Sequence, residues 1–440
     1  MNPDISGDWT GNLDTGTVKV TLNFRLEPAI DSGGRARLAT RSFGELDLPL
    51  VRRGQRWRFN AATVDIALEL WPEGERLAGE CRHAGCAYPM SFERGPPRPK
   101  PRAPRPQTPT PPFAYEARTV AFTGADGSRR VGTLTTPPGP PPHGAVVLSS
   151  WFGGTDRDQR TFGHRPMAVW ADVLAALGLT ALRYDKRGIG ESSGDFSTAT
   201  TGDLAADLAE AVGFLRTLPG IDPARIGLFG HSEGGHISAD VAAADPAIAF
   251  CVMLTPSGVP EEEMFDTELF RGAIAVGGRP LHPQRTIALA HALSAAARTA
   301  PTAEEGRART REILTREAAA GRFPAERIEI RAQMAVAPWR RYWWNYDFTG
   351  TLAALACPTL VVFAGRDLQT PPAFHAPKVR AALAANPRAR LVELPGLNHF
   401  LQTARTGAVS EYGDIDQTLA PEAIETVRDW VSEVIGGKAP

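Results

Sequence analysis

The sequence predicts an α/β protein, a mostly parallel sheet with a helical insertion, preceded by a small all-β domain. Three observations predict it. From residue 113 onward, apolar runs of strand length alternate with stretches of helical length, the pattern of a parallel sheet covered on both faces. Before about residue 94, short runs alternate apolar with polar residues, the period of half-buried strands. Between the two lies GPPRPKPRAPRPQTPTPP, residues 95–112. Proline at that density removes backbone donors and fixes φ, so the segment is expected to be an extended linker.

The elements follow in order. In residues 18–26, Val18, Val20, Leu22, Phe24 and Leu26 share one face and Lys19, Thr21, Asn23 and Arg25 the other. Similar runs recur near 45–51, 57–70 and 77–92, separated by Ser32-Gly33-Gly34, Arg53-Gly54 and Glu73-Gly74, so residues 1–94 read as a barrel or sandwich. Past the linker, a hairpin is expected over 118–122 and 131–135, turned by Asp126-Gly127. Strands follow at 145–149, 181–184, 226–229, 248–254, 360–363 and 390–394, with helices at 166–177, 204–215, 372–385 and 422–435. Residues 255–355 lack clear strands, contain helical stretches at 284–297 and 303–320, and end in the aromatic run Trp339, Tyr342, Trp343, Trp344, Tyr346 and Phe348. They are expected to form a helical cap inserted into a catalytic domain of residues 113–254 and 356–440. Most of the aromatics then serve as cap core or cap-to-body contacts.

Length and composition exclude several classes of function. At 440 residues the chain suggests two or three domains. Forty-eight basic residues against 49 acidic leave a formal net charge of -1, so no global field draws nucleic acid or an anionic membrane. No apolar run approaches the roughly 20 residues of a membrane span, and the opening MNPDISGDWTG lacks a secretory pattern, so a cytoplasmic location is expected. Cys81, Cys86, Cys251 and Cys357 make no disulfide framework. Cys81 and Cys86 with His83 between them fall short of a four-ligand zinc site.

The chemistry centres on RIGLFGHSEGGHISADVAAA, residues 225–244. An apolar strand runs into Gly230-His231-Ser232-Glu233-Gly234, and a helix leaves it. Such a turn forces strained backbone at Ser232 and requires glycine on either side, where a β-carbon would collide with a neighbouring element. A second match, Gly190-Glu191-Ser192-Ser193-Gly194, has neither the strand before it nor the helix after, and Ser192 reads as a loop serine.

A serine hydroxyl needs a base, and the base an orienting acid. Asp367 follows the strand TLVVFA in the loop GRDLQTPP, and His399 follows RLVEL in PGLNHF. Both lie past the C-terminal ends of strands, on the edge that carries Ser232, in the order Ser, Asp, His. Asp367 also fits the N-terminal position of the following helix. His231, His236 and His375 compete with His399 for the role of base, but the first two lie too close in sequence to the turn to reach back easily and the third falls on a helix. For a developing oxyanion, one donor is expected from the N–H of Glu233. The other is expected from the loop after strand 145–149, with Phe152 first and Gly153 second.

Residues 163–194, 227–260 and 391–415 together resemble the α/β-hydrolase superfamily, specifically bacterial serine carboxylesterases with an N-terminal β domain. The resemblance implies Ser232, Asp367 and His399 as a triad, a small-molecule ester as substrate, and no metal or organic cofactor. That family usually carries a Gly-Ser-Gly type loop before an Asp-Arg-Asp run; here Asp156-Arg157-Asp158 is kept but bulky Trp151-Phe152 precede it. The expected activity is hydrolysis of carboxylic esters of short to medium acyl length. Thioesterase, acyl-peptide hydrolase and acyltransferase activities remain open on the same triad, as does a ligand-binding role for the β domain.

Overall fold

The computed structural model describes residues 4–29, 33–40, 44–61, 66–83, 86–96, 105–259 and 270–436. Residues 97–104 of the proline-rich segment and 260–269 of the insertion lie outside them. The chain divides into two compact units, one of Met1–Arg102, Phe265–Val336 and Ala408–Glu411, the other of Ala103–Met264, Ala337–Gly407 and Tyr412–Pro440.

The first unit is built on β1 (Gly7–Asp14), β2 (Lys19–Pro28), β3 (Gly33–Thr40), β4 (Gly44–Arg53), β5 (Arg56–Ala61), β6 (Ile66–Glu73), β7 (Arg76–His83) and β8 (Cys86–Arg94). Each strand pairs antiparallel with the next, and β1 also pairs β8, Trp9 opposite Arg94 and Gly11 opposite Phe92, so the sheet closes into a barrel. Closure removes the exposed strand edges. The period-two pattern points one face inward: Trp9, Leu22, Phe24, Leu26, Phe59, Leu70 and Phe92 are buried, and Phe24 meets Phe59 and Phe92 edge-to-face at 5.3 and 4.9 Å. A barrel of this size is filled by its own side chains, and this one is packed with aromatics. Val18 and Val20 share the parity of Leu22 but stay exposed, because they lie where the strand begins, beside the turn at Thr15–Val18. Cys81 and Cys86 are buried, at the facing ends of β7 and β8.

Helices Pro283–Arg298, Ala303–Ala319 and Ile328–Ala335 belong to this same unit and pack through Leu293, Leu314 and Ala332. The two-residue strand Arg279–Pro280 extends the sheet beside β8. The stretch read from sequence as one cap, residues 255–355, is therefore shared: of its described residues, 270–336 group with the barrel, and 255–259 and 337–355 with the second unit. Apolar periodicity identifies helices but carries no information on which core they join.

The second unit contains β9 (Glu116–Thr123), β10 (Arg129–Thr136), β11 (His143–Ser149), β12 (Thr180–Tyr184), β13 (Ile221–His231), β14 (Cys251–Leu254), β15 (Thr359–Ala364) and β16 (Ala389–Leu394). Their order across the sheet is β16-β15-β14-β13-β11-β12-β10-β9. The hairpin β9–β10 is antiparallel, and β11 to β16 run parallel. Parallel strands covered on both faces need continuous apolar runs; β15, TLVVFA, is buried at every position. Helices α1 (Pro166–Ala176) and α5 (Pro421–Ile435) cover one face through Trp170, Leu174, Val427 and Trp430. Helices α2 (Thr201–Arg216) and α3 (Glu233–Ala244) cover the other through Leu204, Leu208, Val212 and Ile237, and α4 (Pro372–Ala382) adds Val379. The start of α2 is set by a capping box in which Thr200 and Asp203 bond each other's backbone N–H.

The tail of the proline-rich segment is not a free spacer. Gln107 accepts the N–H groups of Thr418 and Leu419 at 2.6 and 2.9 Å and donates to the carbonyl of Leu419 at 2.8 Å. A side-chain amide offers a donor and an acceptor together, so one glutamine satisfies three backbone groups just ahead of α5.

Candidate active site

The turn from β13 into α3 is as sharp as its glycines demand. Ser232 has φ 55° and ψ -119°, a conformation unfavourable for a residue with a side chain. Its N–H donates to the carbonyl of Leu254 at 2.8 Å, which ties the turn to the end of β14. A β-carbon on Gly230 would lie 1.9 Å from the carbonyl oxygen of Gly234, and one on Gly234 would lie 2.2 Å from that of Ser149. The flanking glycines thus let the helix start and the end of β11 close on the serine.

Because β13, β15 and β16 are parallel, the loops following them open at the same sheet edge. Asp367 follows β15 and His399 follows β16, both buried, with His399 Nδ1 and Asp367 Oδ2 2.7 Å apart. Asp367 Oδ1 accepts the N–H groups of Gln369 and Thr370 at 2.8 and 2.9 Å, and Oδ2 also accepts the Thr370 hydroxyl at 2.7 Å. Burial by itself raises the pKa of Asp367, but His399 and the Thr370 hydrogen bonds outweigh it, and the net direction is down. A buried carboxylate so held keeps its charge beside the imidazole.

The three competing histidines have other partners. His231 Nε2 lies 2.8 Å from the carbonyl of His399, which can only accept, so Nε2 carries the proton. Its Nδ1 then accepts from Gln159 Nε2 at 2.9 Å, and Gln159 Oε1 accepts the N–H of Trp151 at 3.1 Å. Burial pushes His231 down to about 3, so it is neutral and orders the chain from Trp151 to His399. His236 pairs with the Ser257 hydroxyl at 2.8 Å and packs 4.2 Å from the Phe348 ring; burial pushes it down to about 3 as well. His375 Nδ1 accepts the N–H of Gly258 at 2.7 Å. The second serine motif is structural: Ser192 Oγ accepts the N–H of Val131 at 2.9 Å and donates to the carbonyl of Asp185 at 2.8 Å.

Across from the turn lies the loop after β11. Phe152 is 55% exposed, and Gly153 has φ 90°, a region that favours glycine. The loop is anchored at its base by Arg157, whose Nε and Nη2 bond the two oxygens of Asp185 at 3.1 and 2.6 Å. Sequence reasoning missed what lies beneath it. Lys186, 4% exposed, donates to the carbonyls of Trp151 at 2.5 Å and Gly153 at 3.0 Å, and its Nζ stands 3.8 Å from Glu233 Oε2. Burial draws the ammonium's pKa down and Glu233 opposes it. Glu233 Oε1 accepts the Thr201 hydroxyl at 2.8 Å and Trp339 Nε1 at 2.6 Å. A signal was available, since Lys186 comes two residues after a strand whose end opens on the active edge.

The late aromatics pack on α3 and this loop. Trp339 lies 4.6 Å from the Phe152 ring, and Tyr346 donates to Asp240 at 2.6 Å. Trp343 and Tyr346 meet His236 at 4.9 and 5.8 Å.

Residues 142–411, more than half of the chain, match the description of the alpha/beta hydrolase family. A thiohydrolase of Arthrinium phaeospermum is 37% identical over 86 residues, 19% of this chain and 28% of the relative. An esterase of Thermotoga maritima is 29% identical over 161 residues, 36% of each chain. The chain thus spans about a third of the length of these relatives. A solved structure of a Pyrococcus furiosus esterase is 13% identical, with a TM-score of 0.45, covering 78% of this chain and 100% of that one. Among the described residues, no helix is long and apolar enough to cross a membrane.

Proposed function

Given that the chain belongs to the alpha/beta hydrolase family, we propose that it hydrolyses carboxylic esters of short to medium acyl length through an acyl-enzyme on Ser232. The observation that carries this reading is the 2.7 Å contact between His399 Nδ1 and the buried Asp367, on the sheet edge where the strained Ser232 turn opens. Asp367 holds the proton on Nδ1, which leaves Nε2 as the base. Ser232 Oγ attacks the ester carbonyl and His399 takes its proton. The N–H groups of Glu233 and Phe152 hold the oxyanion, and His399 returns the proton to the departing alcohol. Water, activated by the same imidazole, then attacks the acyl-enzyme, and the acid leaves as Ser232 regains its proton. No step in this sequence calls for a metal or organic cofactor.

A thioester substrate is the second reading, favoured by the likeness to a thiohydrolase over residues of this chain. The triad selects carbonyl chemistry, and the leaving group is selected by the walls of the site. Hydrolysis of a chain-length series of p-nitrophenyl esters and of matched thioesters and anilides separates the readings. Mass spectrometry after a fluorophosphonate label locates the nucleophile. Turnover of short esters with one adduct on Ser232, both absent in Ser232→Ala, is the expected result. Substantial turnover in that variant would place the nucleophile elsewhere.

A further inference from the structure

We infer that Lys186 is a positioning residue for the oxyanion site: bound to the Trp151 and Gly153 carbonyls and facing the Glu233 carboxylate, it turns the Phe152 N–H toward the reacting carbonyl. The inference rests on the serine-hydrolase reading and deepens it.

Peptide geometry supplies the first step. In a planar trans peptide the C=O and the following N–H point in opposite directions. With the Trp151 carbonyl drawn down onto Lys186 Nζ at 2.5 Å, the N–H of Phe152 must point away from the ammonium. The same holds for Gly153, whose carbonyl is 3.0 Å from Nζ, and the N–H of Gly154. Trp151 cannot serve instead, because its own N–H is engaged by Gln159 Oε1 at 3.1 Å. The lysine therefore turns the Phe152 N–H, like that of Gly154, away from itself, and Phe152 is the first amide of this loop left open to a substrate once the Trp151 N–H is engaged.

The second step concerns charge. An ammonium that is 4% exposed loses most of its hydration, several kcal/mol by general estimates, and only well-placed oxygens offset that loss. Here two carbonyls and a carboxylate do so, and all of them belong to the two segments that would hold the oxyanion. Glu233 supplies the backbone donor next to Ser232, and its side chain carries the countercharge for the lysine that orients the other donor. One ion pair thus fixes the spacing between the two donors. Glu233 cannot swing away, since Oε1 is held by Thr201 and Trp339 at 2.8 and 2.6 Å. Gly153, at φ 90°, gives the loop the reversal that lets both carbonyls face one nitrogen.

The test compares wild type with Lys186→Met, Lys186→Arg and Glu233→Gln. Each protein is assayed for p-nitrophenyl ester kcat and KM, for the inhibition constant of an alkyl trifluoromethyl ketone, and for thermal midpoint. The ketone adds to Ser232 as a hemiketal and reads the oxyanion site without turnover. In Lys186→Met, kcat is expected to fall about 100-fold and the ketone constant to rise in proportion, with KM within about threefold of wild type. Lys186→Arg, which keeps the charge, recovers part of both. A Lys186→Met protein with wild-type kcat and wild-type ketone affinity overturns the inference, as does a rise in KM alone. If Lys186→Met does not fold, Glu233→Gln decides: glutamine still accepts from Thr201 and Trp339, and the joint change in kcat and ketone affinity is expected again. Unchanged values there overturn the inference. Failure of the underlying reading is distinct, because wild type itself would then show neither turnover nor a Ser232 adduct, and the inference would fall with it.

Discussion

Adding one methyl group to Gly234 is expected to damage the protein far more than adding one to Gly235, its neighbour in the same helix. A β-carbon at Gly234 meets the Ser149 oxygen at 2.2 Å, the Ser149 carbon at 2.7 Å and the Ser150 oxygen at 2.8 Å, all backbone atoms. Ordinary contact begins near 3.4 Å, so the start of α3 and the end of β11 must separate by about 1.2 Å. Neither is a flexible side chain that can step aside, and the overlap is expected to cost about 3 kcal/mol, the upper part of the range for overpacking. The separation also parts the Glu233 amide from the loop that carries Phe152, and a displacement of about 1 Å lowers turnover by about 100-fold. At Gly235 the nearest atoms are Met253 Cβ at 3.4 Å and Cε and Pro256 Cβ at 3.6 Å, ordinary contacts in a helical segment. Gly235→Ala is therefore expected to raise stability by up to about 1 kcal/mol through helix propensity, with activity kept. Urea denaturation and p-nitrophenyl ester turnover of the two variants test this directly. A Gly234→Ala protein with wild-type stability and rate, or a Gly235→Ala protein that loses both, would refute the reasoning.

Asp367→Asn keeps an oxygen for the N–H groups of Gln369 and Thr370, but its amide nitrogen then donates toward His399 Nδ1. The imidazole proton is forced onto Nε2, where it can no longer accept from Ser232. A loss in kcat of about 10⁴ is expected in the rate assay, with a near-native circular dichroism spectrum. Acid is expected to destabilise the α/β unit early. Burial holds His231 and His236 down at about 3 and His164 at about 4, so between those values and about 6.5 the unfolded chain binds more protons than the native one. The contribution is complete above about pH 6.5 and is lost progressively from there down to the native values, about 2 kcal/mol for each histidine by pH 5. Urea midpoints that do not move between pH 7 and 5 would contradict it.

Sequence by itself determined the β character of residues 1–94 and the alternation of strands and helices after residue 113, while β1 and β3 escaped it and the runs at 57–70 and 77–92 each hold two strands. Period-two alternation marked the other strands of the barrel, and the run TLVVFA could be little else than a buried strand. The local turn chemistry of Gly230 to Gly234 located Ser232 because close approach of backbone leaves its mark on adjacent residues. Asp367 and His399 could be placed from sequence because parallel strands send all their following loops to one edge. Closure of the first sheet into a barrel, with β1 against β8, was decided by the tertiary structure, since no local pattern distinguishes barrel from sandwich. So was the division of the insertion read over 255–355 between two cores. The supporting chemistry of the site was hidden for the same reason. Lys186 reaches carbonyls 35 and 33 positions back, His231 meets His399 across 168, and Trp339 meets Glu233 across 106. Hydrogen bonds and ion pairs depend on distances of a few ångströms, and for residues so far apart in the chain only the packed fold sets that distance.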